Sequence, residues 1–115
     1  MPALYATIRE VGPITIVDLS GRIALGEGSA LLRRTIRELA ESGKTQIVLN
    51  LGDINYIDSS GIGELVSGFT ALRNRSGELK LLNLTKKVND LLQITKLFTV
   101  FDVYTDERTA VQSFR

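Results

Sequence analysis

The sequence predicts an α/β fold: a single-layer mixed, mostly parallel sheet of about five strands with four helices packed on it. Three observations carry this expectation. Two short β-branched segments near the start are separated by Gly12-Pro13, which reads as the turn of an antiparallel hairpin. Beyond them, segments of strand length alternate with amphipathic segments of helix length. The run IVLNL (47–51) is short, β-branched and nearly continuous in apolar residues, as expected of a buried central strand in parallel pairing.

Residues 4–9 (LYATIR) and 14–19 (ITIVDL) are the hairpin strands. Gly21, Gly26 and Gly28 then make a flexible connection with neither strand nor helix character. Ser29 is placed to cap a helix over about 29–42, in which Leu32, Ile36, Leu39 and Ala40 share one face. Arg33, Arg34, Arg37, Glu38 and Glu41 lie mostly on the other face, and Gly43 supplies the stop. After strand 47–51, Gly52-Asp53 turns into a brief INYI segment, followed by Asp58-Ser59-Ser60-Gly61. A second helix spans about 60–73, with Ile62, Leu65, Val66, Phe69 and Leu72 inward, and Ser76-Gly77 ends it. LKLLN (79–83) is another apolar strand. Thr85 caps a third helix reaching about Thr95, with Val88, Leu91, Leu92 and Thr95 on one face. TVFDVY (99–104) alternates like a strand, and a last helix over about 106–114 turns Ala110, Val111 and Phe114 inward. No repeat, linker or low-complexity stretch intervenes, so residues 1–115 are expected to form one domain.

Composition narrows the chemistry. The chain has no histidine and no cysteine. That removes a Ser-His-Asp triad, an imidazole general base, a thiol nucleophile, a disulfide framework and the usual zinc ligands. No metal or other cofactor is expected, and the chain does not read as an enzyme. Lys and Arg number 14 against 13 Asp and Glu. The basic pairs Arg33-Arg34 and Lys86-Lys87 are scattered among acids, without the basic stripe of a nucleic-acid binder. No signal peptide or membrane-length apolar run is present, so a soluble cytoplasmic protein with no membrane partner is expected.

The informative segment is Asp58-Ser59-Ser60-Gly61-Ile62-Gly63-Glu64, placed where a buried strand turns into a helix. Open α/β sheets tend to carry function at such places. Asp58 can accept from the unpaired N–H groups of the first helical turn, leaving Ser59 at the first helical position with its hydroxyl near the rim. Gly61 and Gly63 remove side chains beside it, which would let another backbone or a phosphate approach. The same residues also suit an ordinary helix cap with close helix–sheet packing, and the local pattern alone leaves both readings open.

IVLNLGDINYIDSSGIGELV (47–66) resembles the STAS domain family, and within it the anti-sigma factor antagonists. GELKLLNLTKKVNDLLQITKL (77–97) resembles the strand and capped helix that follow, and LSGRI (19–23) the glycine-containing turn after the second strand. The resemblance implies a partner-switching protein. Its unphosphorylated form would bind an anti-sigma factor that is itself a serine kinase, freeing the sigma factor. The kinase would phosphorylate Ser59, which abolishes binding, and a serine phosphatase would reverse it. Asp58, Ser60, Gly61, Ile62, Gly63, Gly21 and Asp53 would form the partner-binding surface. Ala24 departs from the pattern, standing where the family commonly has an acidic residue. The alternative within the family is a scaffold or transporter-associated module without phosphorylation. An aspartate-phosphorylated receiver lacks its acidic pair and its lysine here, and a serine hydrolase lacks both histidine and a Gly-x-Ser-x-Gly elbow.

Overall fold

The computed structural model describes residues 3–114. Its elements are β1 (Leu4–Val11), β2 (Ile14–Ile23), α1 (Glu27–Glu41), β3 (Gln46–Ile57), α2 (Ser59–Arg73), β4 (Glu78–Leu82), α3 (Lys86–Ile94), a 3₁₀ turn (Leu97–Thr99), β5 (Val103–Tyr104) and α4 (Glu107–Gln112). The five strands form one sheet in the order β1-β2-β3-β4-β5. β1 and β2 pair antiparallel, and the other three pairings are parallel. The α/β architecture is the one expected from the alternation of apolar runs.

Period-2 alternation sorts the strands between two cores. Val17, Leu19, Ile47, Leu49, Leu51, Leu79 and Leu81 join Leu32 and Ile36 of α1, Leu65 and Leu72 of α2, and Val88 and Leu92 of α3 in the larger one. Ile14, Ile16, Val48 and Leu82 meet Ala110 of α4 in a smaller one. Arg9, on the edge strand, reaches Asp18 through Nε at 2.6 Å and Glu107 of α4 through Nη1 at 3.0 Å. Lys80, buried in β4, donates to Ser113 Oγ at 2.8 Å and lies 4.7 Å from the Phe114 ring centre. These polar ties fix a helix whose own apolar contact is small.

Several boundaries differ from the sequence reading. β2 runs on through Gly21 to Ile23, so Gly21 lies in a strand and not in a loose connection. Its φ of 114° and the Ala3 carbonyl, 2.3 Å from where a Cβ would stand, explain the glycine. INYI is the second half of β3. The pairing shifts between Asp18 and Ser20 and again between Gly21 and Arg22, each time leaving one extra residue on β3. Gly52-Asp53 is therefore a bulge, not a turn. α1 starts two residues before Ser29, behind Gly26 at φ 98°, and Ser29 is buried and caps nothing. The strand expected over 99–104 shrinks to two residues, because 97–99 coil into the 3₁₀ turn. Thr95 faces solvent and closes α3 by donating to the Leu91 carbonyl at 2.8 Å.

The stops of α1 and α2 are of one kind. After α1, Gly43 N–H reaches the Ala40 carbonyl at 3.1 Å and Lys44 N–H the Leu39 carbonyl at 2.8 Å, a Schellman motif with Gly43 left-handed. After α2 the same bonds run from Ser76 to Arg73 and from Gly77 to Leu72, but there Ser76 takes the left-handed position at φ 61°. Gly77 serves close approach instead, since its Cβ would lie 2.2 Å from the Thr45 carbonyl.

Candidate functional site

β2 and β3 are parallel neighbours, so their carboxyl ends open on the same edge of the sheet. Beyond Ile23 the chain enters 24–26, and beyond Ile57 it enters Asp58 and α2. Asp58 joins the two. Its Oδ1 accepts from the backbone N–H of Ser60 at 3.0 Å and of Gly61 at 3.1 Å, and from the Ser60 hydroxyl at 2.7 Å. Its Oδ2 accepts from the Leu25 N–H at 3.0 Å. Four donors on one carboxylate favour its ionised form. The Ser60 hydroxyl does most and the Leu25 N–H next, and together they hold Asp58 down to about 2.

The two serines divide the work. Ser60 is half-buried, and its hydroxyl binds Asp58 and lies 2.9 Å from the Ser29 hydroxyl, which donates to the Ala24 carbonyl at 2.9 Å. That chain of bonds ties the head of α2 to the head of α1. Ser59 is exposed, and its hydroxyl makes no hydrogen bond to any described residue. It is the free hydroxyl of the pair.

The glycines divide as well. A Cβ on Gly61 would stand 2.3 Å from the Ile23 carbonyl and 2.7 Å from an Ile57 side-chain carbon. The space at Gly61 is thus filled by this chain's own β2 and β3, and does not admit an outside backbone as the sequence reading supposed. Ile62, 4% exposed, points into the core. At Gly63 a Cβ would meet nothing within 4 Å, and the residue lies open on the surface. Asp53 is exposed but pairs opposite Ser20, earlier along the strand, and Gly21 sits beside Ala3 at the far side of β2.

The sequence reading missed the surroundings of Ser59. A hollow of ≈ 320 Å³ is lined by Ser59, Tyr56, Lys87, Asp90, Leu91 and Ile94. Ile94 is 76% exposed, and Leu25, bonded to Asp58 through its N–H, is 83% exposed. Arg22 lies over the Tyr56 ring at 4.3 Å from its centre, and Lys87 Nζ lies 5.3 Å from the same centre. Two signals were present in the sequence. Ile94 is an apolar residue out of phase with the inner face of α3, and Leu25 is a lone large apolar residue among glycines.

On this small α/β domain, the free hydroxyl at the helix head shares a hollow with the uncovered Ile94 and the cation of Lys87. Among the described residues no group of three or more His, Cys, Asp or Glu is arranged to hold a metal ion, and no helix is long and apolar enough to cross a membrane. Residues 5–110 match the STAS domain, and the chain belongs to that family. It is 32% identical over 96 residues to the anti-sigma-B factor antagonist of Bacillus subtilis (strain 168), covering 84% of this chain and 86% of that one. An anti-sigma factor antagonist from Mycobacterium paratuberculosis superposes with a TM-score of 0.86 at 15% identity, over 97% of this chain and 94% of that one. The Bacillus cell fate determinant SpoIIAA in its phosphorylated form gives 0.75 at 21% identity, over 96% of this chain and all (100%) of that one. At such identities the two structures speak for the fold alone.

Proposed function

We propose that this chain is an anti-sigma factor antagonist whose docking is switched at Ser59. The unphosphorylated form binds an anti-sigma factor serine kinase in the cytoplasm and frees the sigma factor. Phosphorylation of Ser59 by that kinase abolishes binding, and a serine phosphatase restores it. The observation that carries this reading is the contrast between the two serines: Ser59 exposed and uncommitted, Ser60 held by Asp58. The names of the curated relatives support the antagonist role.

The energetics favour a switch of binding over a switch of folding. Phosphoserine adds about −1.5 to −2 charge near neutral pH. At a helix head the dipole favours an anion by roughly 0.3–2 kcal/mol, here reduced because Asp58 already uses two of the first-turn N–H groups. Burying the same charge against the apolar side chains of a docked partner costs several kcal/mol. About 4 kcal/mol weakens a complex nearly a thousandfold. The interface effect is the larger.

The test is phosphorylation by the cognate anti-sigma factor kinase with ATP, read by intact mass. Wild type and Ser60→Ala should each gain one phosphate, and Ser59→Ala none. Label retained on Ser59→Ala, or no label on wild type, contradicts the reading.

A further inference from the structure

Two cations held on the Tyr56 ring, a wall of the hollow at Ser59, are unaccounted for by the fold. Neither Arg22 nor Lys87 has a carboxylate within 4.0 Å among the described residues, and both rest on the Tyr56 ring. Neighbouring charges are matched. Lys86 binds Asp90 at 2.7 Å, Arg33 binds Glu64 at 3.1 Å, and the Asp58 carboxylate is occupied by four hydrogen-bond donors. Stacking on an aromatic ring holds a cation in place without cancelling its charge. Lys87 shares with Ser59 the walls of one hollow, and Arg22 lies on the other contact of the same tyrosine.

We infer that Arg22 and Lys87, held on Tyr56, form a receptor within this chain for the phosphate carried by Ser59. The inference rests on the reading of Ser59 as the phosphoacceptor and adds what happens after modification. A phosphoserine presents three strong acceptor oxygens, which suit the fork of an arginine and the point charge of a lysine together. The charged groups that wall the hollow are Asp58 at the head of α2 and Lys87 and Asp90 from α3, with Arg22 of β2 stacked on Tyr56. Asp58 opposes the phosphate, and Asp90 is tied to Lys86. Capture fills the hollow with a hydrated ion cluster between Leu91 and Ile94 and the place a partner would occupy. It also takes from any acidic group of the partner the two cations left free in the unmodified chain. Modification then removes an attraction as well as adding a charge.

The experiment uses the full chain with phosphoserine installed at position 59 during synthesis, so that no kinase is needed. Phosphorus NMR titration reads the second phosphate pKa in the phosphorylated wild type and in Lys87→Gln and Arg22→Gln. Neither side chain is buried, and a proton–nitrogen spectrum confirms that each variant is folded. The expected wild-type value lies below the ordinary phosphoserine value of about 6. Each substitution should raise it by roughly 0.2–0.7 pH units, the size conferred by an exposed ion pair, and molar salt should erase the difference. If both variants titrate as the wild type does, the receptor is refuted, and any depression belongs to the helix head alone. Partner binding by the same phosphorylated proteins separates the two ideas. Docking lost with unshifted variants overturns the receptor and keeps the switch. Shifted variants with docking undiminished keep the receptor and overturn the switch.

Discussion

Asp58 is the residue on which the site's geometry turns, since one carboxylate caps α2 and pins the loop after β2. Removing it as Asp58→Ala should cost about 1–2 kcal/mol in chemical denaturation, in the range of a lost N-cap. Its acid dependence has a definite sign. The folded value, about 2, lies below that of an unfolded aspartate, ~3.9. The stability it adds is complete above the unfolded value and is lost as pH falls through the folded one. Asp58→Asn should therefore flatten the acid limb of the stability curve between about pH 4 and pH 2, and an unchanged slope there would contradict the assignment. The two glycines give a sharper contrast. Gly61→Ala drives a methyl into the Ile23 carbonyl and should destabilise by about 1–3 kcal/mol or more. Gly63→Ala meets open space inside a helix and should raise stability by about 0.5–1 kcal/mol. Thermal unfolding of the pair separates a structural glycine from one free to face a partner.

Among the elements, β3 and α2 carry the site and were legible in outline, and the reasons for the misses are physical. The cap at Asp58, the stop at Gly43 and the hairpin turn at Gly12-Pro13 follow from short-range chemistry that a few residues fully determine. The bulges that merge INYI into β3 arise from pairing with β2, which no local pattern encodes. Ser29 offered a cap by residue type, but Gly28 must lie against the Arg22 carbonyl, and that packing draws α1 back to Glu27. Ile94 comes to the hollow at Ser59, and Leu25 to Asp58, only through the tertiary fold, so each looked like an isolated oddity along the chain. The end of α2 offers a test at this scale. Ser76 holds a left-handed conformation that costs a side-chain-bearing residue roughly 1–2 kcal/mol, so Ser76→Gly should raise the melting temperature, while Gly77→Ala should lower it.

For the whole molecule, the site proposed for the switch stands apart from the packed interior. The cores lie on the two faces of the sheet, whereas Ser59 stands at the edge where β2 and β3 end, so a modification there leaves the packed interior untouched. α4 is held to the far face by Arg9, which keeps Asp18 and Glu107 both below their ordinary carboxylate range, and by Lys80 under Ser113. The switch is therefore expected to be local, with no rearrangement of the sheet. Its most direct test is the affinity of the cognate anti-sigma factor for chain fully phosphorylated at Ser59 against unmodified chain, with melting temperature followed on the same samples. The account predicts a dissociation constant raised at least about a hundredfold, equivalent to about 2.7 kcal/mol, with melting shifted by no more than a few degrees. Equal affinities, or a phosphorylated chain that loses binding only because it unfolds, would contradict it.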